Sequence, residues 1–438
     1  MNKDTIVARA TANGLSGISI IRVSGDKAKF IYEMLFPTKK EISPRYARFC
    51  YLRHDGQIID HCISIFFSAP TSATGEDVLE IHTHGNPVLS EIVIKDCIKL
   101  GARLAQPGEF TQRAFLNGKI DLVQAEATAD LIAAASEIEI KSAAQSLTGQ
   151  FSKKLDVIQS EINKIRVQVE ALIDFSDQDI TPSDLENIKT YTQKVVKITR
   201  ETLSKARLGA KVRQGLTVAI IGPANAGKSS LLNALTQEDT AIVTDIAGTT
   251  RDALKERIYL DGLGVTIIDT AGIRDTDDIV EKAGIERTKT ITQLANHVLI
   301  VLDGNKDERE KAETIIKNYN IASSTVIYNK SDLMKKEALL ADEINISAKT
   351  GNAIDTLITR LKNISGQFSV ESDQFIARER HVELLKTALT HLQESDHAIL
   401  EVRAHELKLA QLALDQILGV VSADDLLGQI FSTFCVGK

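Results

Sequence analysis

A glycine-rich segment that ends in lysine and serine is the clearest chemical signal in the sequence. Gly222-Pro-Ala-Asn-Ala-Gly-Lys-Ser229 has the spacing G-x-x-x-x-G-K-S, and it stands between an apolar run and a helix-forming run. This pattern is typical of a phosphate-binding loop, in which backbone N–H groups turn toward the phosphates at the start of a helix. Lys228 would contact the β- and γ-phosphates, and the Ser229 hydroxyl would bind Mg²⁺. The segment therefore predicts a nucleoside triphosphate site.

Three further segments narrow the base to guanine. Asp269-Thr-Ala-Gly272 follows a predicted strand and would place a carboxylate near Mg²⁺. Asn329-Lys-Ser-Asp332 ends another strand, and the Asp332 carboxylate can accept the N1–H and N2–H hydrogens that guanine offers and adenine lacks. Ser347-Ala-Lys349 would present the Ala348 N–H to guanine O6. The order of these segments favours GTP over ATP.

The segment between the phosphate loop and Asp269 has the composition of a switch loop. Within Thr244-Asp-Ile-Ala-Gly-Thr-Thr-Arg-Asp252, Thr250 is the predicted second protein ligand of Mg²⁺. A Ras-like enzyme carries a glutamine after Asp-Thr-Ala-Gly to orient the attacking water, but Ile273 occupies that position here. Either hydrolysis is slow or another group positions the water. Glu281 is a candidate for that role, and a solvated helix charge is the alternative.

The predicted catalytic residues of this module are Lys228 and Glu281. The predicted GTP-binding residues are Asn225, Ala226, Gly227, Lys228, Ser229, Ser230, Thr244, Asp245, Ile246, Ala247, Gly248, Thr249, Thr250, Asp269, Thr270, Ala271, Gly272, Asn329, Lys330, Asp332, Ser347, Ala348 and Lys349.

The helices and strands that must position these residues are predicted from the pattern of apolar, glycine and proline residues along the sequence. Residues 1–118 mix β-type runs with Gly and Pro and predict a small α/β domain. Residues 212–374 alternate strands and helices, as in a doubly wound parallel sheet. Residues 119–211 and 375–438 are helical and amphipathic, so we expect them to pack together as one bundle with the α/β module inserted between them. The predicted fold class is α/β plus all-α.

One helix of the first helical segment is predicted with a defined buried face and a defined stop. Apolar residues follow a 3-4-3-4-3 spacing at Leu155, Ile158, Ile162, Ile165, Val169 and Leu172. Pro182 interrupts the pattern, and Ser183 is the predicted cap of the next helix.

Composition excludes several classes of protein. Of the 438 residues, 43% are hydrophobic and 25% are charged, which is typical of a folded multidomain chain rather than a disordered one. The apolar runs are shorter than the roughly 18 residues that cross a bilayer, and the four cysteines form no CxxC pair. We expect a cytoplasmic protein without a membrane segment. Because the net charge is −7, a nucleic acid would have to be held by a local basic patch.

Seven segments, most of them outside the nucleotide motifs, carry a family resemblance. They are Asp4-Thr-Ile-Val-Ala8, Ile21-Arg-Val-Ser-Gly25, Thr74-Gly-Glu-Asp-Val-Leu-Glu80, Pro107-Gly-Glu-Phe-Thr111, Ala114-Phe-Leu-Asn117, Gly248-Thr-Thr-Arg-Asp252 and Cys435-Val-Gly-Lys438. Through them the sequence resembles the MnmE (TrmE) family of tRNA-modification GTPases over nearly its whole length.

The resemblance implies a fold and a reaction. Such proteins have an N-terminal folate-binding domain that forms homodimers, a helical domain made from two segments, and an inserted P-loop GTPase domain. With an FAD-dependent partner subunit of the MnmG or GidA type, they add an aminomethyl or carboxymethylaminomethyl group at C5 of the wobble uridine (position 34) of certain tRNAs. A tetrahydrofolate derivative, 5,10-methylene or 5-formyl, supplies the one-carbon unit, and K⁺ stimulates GTP hydrolysis.

The resemblance also assigns roles to residues of this sequence. The implied K⁺-binding positions are Asn225, Thr244, Ile246 and Thr249, and the implied Mg²⁺ ligands are Ser229 and Thr250. Glu281 matches the water-orienting glutamate of the family. The implied folate contacts are Arg22, Glu80, Lys119 and Lys438. Cys435 matches the active region of the helical domain, as a catalytic or a merely structural thiol.

Two departures from the family pattern and one alternative function remain. Ala224 stands at the position before the loop asparagine where the family usually has proline, and the proline of this sequence, Pro223, lies one residue earlier. In the segment that begins at Thr71, Ala73 replaces an aromatic residue. The second change would loosen one wall of the folate pocket. The alternative function is a ribosome-assembly regulatory GTPase without RNA-modifying chemistry. Such a protein shares every nucleotide motif but usually carries a KH-like domain in place of these helical segments.

Overall fold

A computed structural model describes most of the chain. The described residues are 4–37, 42–134, 136–174, 181–223, 225–237, 255–260, 263–269, 288–303, 308–333, 340, 342–366, 374–420 and 424–437. The chain separates into two compact units. Unit 1 comprises Met1–Ala129, Ser146–Glu201 and Glu383–Lys438, and unit 2 comprises Asp130–Gln145 and Thr202–Val382.

Strands and helices alternate in two stretches of the chain and helices alone form the rest. The strands are β1 (Thr5–Arg9), β2 (Ser16–Ser24), β3 (Arg48–His54), β4 (Gln57–Phe67), β5 (Val78–Gly85), β6 (Ala102–Leu104), β7 (Leu216–Ile221), β8 (Lys255–Leu260), β9 (Leu263–Asp269), β10 (His297–Leu302), β11 (Ser324–Tyr328) and β12 (Glu343–Asn345). The helices are α1 (Ala28–Leu35), α2 (Pro87–Lys99), α3 (Glu109–Leu116), α4 (Leu122–Ala133), α5 (Glu137–Leu147), α6 (Gln150–Asp174), α7 (Pro182–Gln214), α8 (Lys228–Gln237), α9 (288–294), α10 (Glu308–Tyr319), α11 (Ile354–Gly366), α12 (Glu379–His397), α13 (Leu400–Leu418) and α14 (Asp424–Ser432).

The first sheet of unit 1 has one covered face and one open face. Its strand order is β3-β4-β5-β2-β1-β6, with β1 and β6 parallel and the other pairs antiparallel. Alternate residues on β4, namely Cys62, Ser64 and Phe66, are buried on the face that α1 and α2 cover, while Ile63 is exposed on the other. The predicted N-terminal α/β domain is therefore confirmed, and its sheet offers a free surface.

The two helical segments pack on each other in unit 1, as predicted. Five members of the predicted stripe are fully buried on α6, namely Leu155, Ile158, Ile162, Ile165 and Val169. Gln159 Nε2 on α6 donates to Asp415 Oδ1 on α13 at 2.6 Å, and Arg166 donates to Gln411 at 2.7 Å. The first pair is separated by 256 positions in the chain and the second by 245. These contacts confirm a discontinuous helical bundle.

The predicted cap at Ser183 is wrong by two residues. Helix α7 begins at Pro182, and the preceding Thr181 accepts the Asp184 N–H at 3.4 Å while its own N–H donates to Asp184 Oδ2 at 3.2 Å. Proline has no N–H to lose at the first helical position, so the residue before it takes the cap.

The sheet of unit 2 has helices on both faces. Its order is β12-β11-β10-β7-β9-β8, and all neighbouring strands are parallel except β8, which pairs antiparallel with β9 at the edge. Separate apolar clusters lie on the two faces, and every residue of β10 is buried. This architecture confirms the predicted doubly wound α/β module. Its ligand is expected beyond the carboxyl ends of the central strands β7, β9 and β10.

No helix within the described ranges is both long and apolar enough to cross a membrane.

A buried histidine at the start of β10 predicts acid sensitivity in unit 2. His297 is 2% exposed, and its ring nitrogens pair with Ser323 Oγ at 2.8 Å and Thr325 Oγ1 at 2.9 Å. Burial, reinforced by the charge of Arg360, lowers the pKa of His297 to about 4. The unfolded chain binds the proton near pH 6.5, so the stability that neutral His297 contributes is complete above pH 6.5 and is lost as the pH falls toward 4.

The His297→Gln variant is therefore expected to flatten the pH dependence of unfolding between pH 6.5 and 4, a window in which the wild type loses about 3 kcal/mol through this group. Hydrogen exchange of β10 peptides across that range measures the effect. The variant His405→Gln, on the exposed side of α13, is the matched control. An unchanged slope in His297→Gln would contradict the assignment.

Candidate functional sites

The predicted phosphate loop joins the central strand β7 to α8. Gly222, Asn225 and Gly227 have φ values of 147°, 63° and 90°, and these turns carry the backbone around the start of α8. A side chain at Gly222 would place its Cβ 2.1 Å from the Val301 carbonyl oxygen on β10. Glycine is therefore required where the loop leaves the sheet. Ser229 and Ser230 lie exposed in the first turn of α8, where the predicted Mg²⁺ ligand should be.

Lys228 lies over the loop that it is predicted to serve. Its Nζ donates to the carbonyl oxygens of Gly222 at 2.9 Å and Pro223 at 2.8 Å. These contacts hold the ammonium group on the inner side of the loop. A phosphate bound there would face both the lysine charge and the N-terminal end of α8.

Asn329 at the end of β11 connects three of the predicted segments. It is 3% exposed, its Nδ2 donates to the Ala226 carbonyl at 3.0 Å, and its Oδ1 accepts the N–H groups of Lys330 at 2.8 Å and Ala348 at 3.0 Å. The amide therefore fixes the phosphate loop against both of the turns that are predicted to recognise the base. The Ala348 N–H, which was predicted to donate to guanine O6, donates to Asn329 Oδ1 in the structure.

Asp332 is held for recognition by a neighbouring turn. Its Oδ1 accepts a 2.6 Å hydrogen bond from Ser347 Oγ, and this bond lowers the pKa of the carboxyl group. The nearby charge of Lys349 acts in the same direction. The carboxylate is exposed and ionised at neutral pH, as acceptance of two guanine N–H groups requires. Lys330 has φ 62° and its Nζ pairs with Asp303 at 2.6 Å.

Several predicted residues lie outside the described part of the chain. Asp269 ends β9 beside Ile220 of β7, which puts its backbone at the expected edge. The residues not covered are Thr244, Asp245, Ile246, Ala247, Gly248, Thr249, Thr250, Thr270, Ala271, Gly272, Glu281, Ala224 and Lys438. The K⁺ ligands, the second Mg²⁺ ligand and the water-orienting group therefore stay predictions.

Gly227 offers a sharp test of this geometry. It has φ 90°, and a Cβ there would lie 2.1 Å from Asn329 Nδ2. Gly227→Ala is expected to push the amide away from the loop and weaken GTP binding on the order of 100-fold, since both the backbone turn and the contact are lost. Equilibrium binding of a fluorescent GTP analogue measures this. Gly351→Ala, where a Cβ meets nothing within 4 Å despite a φ of 77°, is the control. Equal effects in the two variants would contradict the contact.

A second group of predicted residues meets on the open face of the unit 1 sheet. Arg22 on β2 lies opposite Glu80 on β5, and its Nε donates to Glu80 Oε1 at 3.0 Å. The other carboxylate oxygen lies 3.1 Å from His82 Nε2. The Arg22 guanidinium stands 5.8 Å from the centre of the Phe110 ring. Phe110 is 3% exposed and supports the guanidinium from below, so the carboxylate and the guanidinium are the groups that face a ligand, a combination suited to a flat, polar heterocycle.

Lys119 is placed apart from that pair. Its Nζ donates to the Pro70 carbonyl at 2.9 Å, at the start of the loop formed by residues 70–77. Asn117 Nδ2 donates to the Thr74 carbonyl of the same loop at 2.7 Å. Both residues following α3 therefore fasten this loop. Ala73, where the family has an aromatic residue, lies exposed within it.

A buried ionic network fixes the other side of the same loop. Arg113, 9% exposed in its side chain, pairs with Asp4 at 2.8 Å, Glu76 at 3.0 Å and Glu109 at 3.0 Å. Arg103 pairs with Asp4 at 2.6 Å and with Glu109 at 2.6 Å. The Arg103 hydrogen bond lowers the pKa of Asp4, and although burial alone would raise the pKa of Glu109, the two arginines lower it. The two arginines thus hold Asp4 and Glu109 ionised, and Arg113 also joins Glu76 to the network.

Cys435 is exposed and its segment lies beside the start of α3. The Cys435 carbonyl accepts the Gly108 N–H at 3.3 Å, and Val436 forms an antiparallel bridge with Pro107. At Gly437, with φ 97°, a Cβ would lie 2.1 Å from the Arg9 carbonyl. The segment therefore docks onto the same helix start that carries Phe110. Cys50, Cys62 and Cys97 are buried, so Cys435 is the accessible thiol among the described residues.

Three residues that organise these sites, Phe110, His82 and Arg113, were assigned to no site from the sequence. Asn329 was predicted to bind GTP, but its contacts to the phosphate loop and to Ala348 were not predicted. Phe110 lies inside one of the family segments, so its type and position were available as a signal. The partners of Arg113 are up to 109 positions away in the chain, and no local pattern announces them.

Comparison with known proteins covers both units. The family model described as "GTP-binding protein TrmE N-terminus" matches residues 5–119, and that described as "MnmE helical domain" matches residues 122–435. The chain is similar to the tRNA modification GTPase MnmE of Coxiella burnetii (strain Dugway 5J108-111), with 43% identity over 99% of each chain. It is 44% identical to the MnmE proteins of Francisella tularensis subsp. novicida, over 100% of this chain and 99% of that one, and of Shewanella oneidensis, over 100% of both chains.

Proposed function

Because this chain belongs to the MnmE family of tRNA-modification GTPases, we propose that it couples GTP hydrolysis to the modification of a wobble uridine. It is a GTP hydrolase that acts in tRNA modification. With an FAD-dependent partner subunit, it adds an aminomethyl or carboxymethylaminomethyl group at C5 of uridine 34, and a tetrahydrofolate derivative supplies the carbon. The observation that carries this proposal is the joint presence of the nucleotide site and the Arg22–Glu80–Phe110 group in one chain.

The nucleotide site supports hydrolysis with Mg²⁺ and K⁺. Lys228 and the start of α8 supply positive charge to the phosphates. Ser229 is exposed, so a metal ion can reach its hydroxyl group. A Ras-type glutamine is replaced by Ile273. A monovalent cation bound at Asn225 and the switch oxygens, together with water oriented by Glu281, would supply what that glutamine and an arginine finger supply elsewhere.

GTP turnover is accordingly expected to depend on the alkali cation. Replacing Na⁺ by K⁺ at constant ionic strength should raise kcat on the order of 10-fold or more, because the cation neutralises charge that develops in the transition state. Steady-state phosphate release measures the effect. The variant Asn225→Ala is expected to turn over slowly in both salts. Equal rates for the wild type in Na⁺ and K⁺ would show that the cation assignment is wrong.

The sheet-face group fits the heterocycle of a folate. The Glu80 carboxylate can accept N–H groups of an amino-pyrimidine ring, and the Arg22 guanidinium, which lies over the buried Phe110 ring, offers a flat surface on which such a ring can stack. Lys119 and Lys438 would meet the anionic glutamate end. Bound there, the folate supplies a one-carbon unit at the methylene or formyl level. Cys435, which is accessible and fastened beside Phe110, is the candidate thiol for this centre.

The open sheet face also supports a homodimer. Phe49 and Tyr51 on β3 are 61% and 51% exposed, and their rings contact each other and His61. Large aromatic residues clustered on a free sheet face are typical of an interface. A second copy of this chain is the proposed occupant. Because the net charge is −7, tRNA would be held by local basic groups rather than by the overall charge of the chain. We place this assembly in the cytoplasm.

Reconstitution tests the proposal. The purified full chain is combined with the flavoprotein subunit, GTP, tRNA and 5,10-methylenetetrahydrofolate carrying ¹³C in the methylene group, and the tRNA nucleosides are analysed by mass spectrometry. We expect ¹³C in the C5 substituent of uridine 34, with none when Lys228→Ala replaces the wild type. Absence of label with active GTPase would refute the folate-dependent chemistry. Equal label with Lys228→Ala would refute the coupling to GTP. The ribosome-assembly alternative predicts no label under any condition.

A further inference from the structure

Two chain crossings connect helical residues to the nucleotide-binding sheet within unit 2. At the first crossing, α7 ends at Gln214 and β7 begins at Leu216, with Gly215 at φ 67° between them. At the second crossing, residues 374–378 run in an irregular path to the start of α12 at Glu379. We call the helical residues of unit 2 (130–145, 202–214 and 379–382) the arm.

The second crossing is buried along its length. Gln374, Phe375, Ile376 and Ala377 are 2%, 0%, 3% and 0% exposed. The Gln374 Nε2 donates to the Lys205 carbonyl on α7 at 3.0 Å, and the Ile376 N–H donates to the Ser142 carbonyl on α5 at 3.2 Å. Connections between domains are usually exposed and make few contacts. Residues 374–377 are instead packed against α5 and α7 like a strand of the core.

A glycine inside α7 allows this close packing. An added Cβ at Gly209 would lie 2.1 Å from the Phe375 carbonyl oxygen and 3.1 Å from the Ala377 nitrogen. Glycine within a helix costs about 1 kcal/mol relative to alanine. The contact explains its presence, because any side chain would drive the second crossing away from α7.

Asp130 on α4 ties the two crossings together. Its Oδ1 accepts a hydrogen bond from Arg213 Nε at 2.8 Å and another from Arg378 Nη2 at 3.1 Å. The side chain of Asp130 is 8% exposed, and that of Arg378 is 18% exposed. Arg213 is two residues from Gly215, and Arg378 directly follows Ala377. One largely buried carboxylate therefore binds both the last turn of α7 before the sheet and the last residue of the second crossing.

We propose that Asp130 is a positioning residue that clamps both crossings, so that the arm moves with the nucleotide-binding sheet as one body. A displacement that begins at the nucleotide would then reach the helical residues of the arm without being absorbed at a hinge between the sheet and the arm. This inference rests on the proposed function only for its biological consequence, which is the coupling of GTP hydrolysis to tRNA modification.

Distance measurement between the arm and the sheet tests the clamp directly. Spin labels are placed at Lys141→Cys on α5 and Lys317→Cys on α10, both exposed, in a chain that carries Cys435→Ser so that the accessible native thiol is not labelled. In the otherwise wild-type chain we expect one narrow distance distribution, the same without nucleotide, with GDP and with a non-hydrolysable GTP analogue. In Asp130→Asn we expect the distribution to broaden or to change with the nucleotide.

Matched variants keep the test decisive. Asp342→Asn removes an ion pair of Arg360 on the same unit, but its side chain is 77% exposed, and it should leave the distances unchanged. If Asp130→Asn does not fold, Arg213→Gln removes only the hydrogen bond to Asp130 at the first crossing and should broaden the distribution. A wild-type distance that changes with nucleotide, or unchanged distributions in Asp130→Asn and Arg213→Gln, would overturn the proposal.

Activity separates the clamp from the proposed function. In unlabelled protein, Asp130→Asn should retain GTP turnover within about twofold, because Asp130 contacts none of the nucleotide-site residues described above, while tRNA modification falls roughly 10-fold or more. Loss of GTP turnover and modification together would overturn the separation. If the wild type modifies no tRNA, the proposed function fails, and the distance measurement still decides the clamp.

Discussion

The variant Asp332→Asn is expected to exchange GTP for xanthosine triphosphate as the preferred nucleotide. In the predicted guanine site the Asp332 carboxylate would accept two N–H groups of the base, whereas an asparagine amide can accept only one and must donate the other hydrogen bond. Xanthine carries an oxygen in place of the guanine amino group and accepts that donation. We expect GTP affinity to fall on the order of 100-fold and xanthosine triphosphate to bind more tightly than GTP.

Competition between the two nucleotides for the purified chain measures this exchange. Ser347→Ala is the matched control, because it removes the 2.6 Å hydrogen bond that holds Asp332 but keeps the carboxylate. That variant should lose some GTP affinity without gaining any for xanthosine triphosphate. If Asp332→Asn keeps the wild-type preference, Asp332 does not contact the base and the guanine site lies elsewhere.

Arg113→Met is expected to destabilise the N-terminal sheet by about 3–5 kcal/mol. The methionine keeps most of the buried apolar stem but leaves Asp4, Glu76 and Glu109 without the guanidinium that they share. Arg103 still contacts Asp4 and Glu109, but one guanidinium then faces three carboxylates, and Glu76 keeps no arginine partner. The loop of residues 70–77 should loosen, because Glu76 loses its partner there.

Hydrogen exchange of peptides from β1, β6 and residues 70–77 measures this loss in the full chain. Arg45→Met is the control, since Arg45 Nη2 donates to the Thr71 carbonyl of the same loop at 2.8 Å from an exposed position. We expect that variant to change local stability by less than about 0.5 kcal/mol. Similar exchange in the two variants would mean that the buried network does not support the sheet.

The nucleotide module was predictable because its signals are local. The phosphate loop, the strand ends at Asn329 and the apolar runs of β7 and β10 each lie within one short segment, and strand polarity then brings them to one edge. The antiparallel strand β8 was not predicted. Its sequence, KERIYL, has three charged residues before three apolar or aromatic ones, so it shows neither the long apolar run of a buried strand nor a strict alternation.

The second site was predictable only in part. Arg22 and Glu80 were assigned separately, and their direct pairing follows from the register of β2 with β5, which local sequence does not fix. Lys119 fastens a loop instead of joining that pair. The clamp at Asp130 joins residues 83 and 248 positions away. Contacts over such separations depend on the assembled fold and leave no periodic trace in the sequence.

Analysis of tRNA nucleosides from a strain that lacks this protein tests the central claim most directly. Digested tRNA from the deletion strain is compared by mass spectrometry with tRNA from the same strain carrying either the wild-type gene or Lys228→Ala. We predict that the C5-modified uridine disappears in the deletion strain, returns with the wild type and stays absent with Lys228→Ala. A normal level of that nucleoside in the deletion strain would contradict the account.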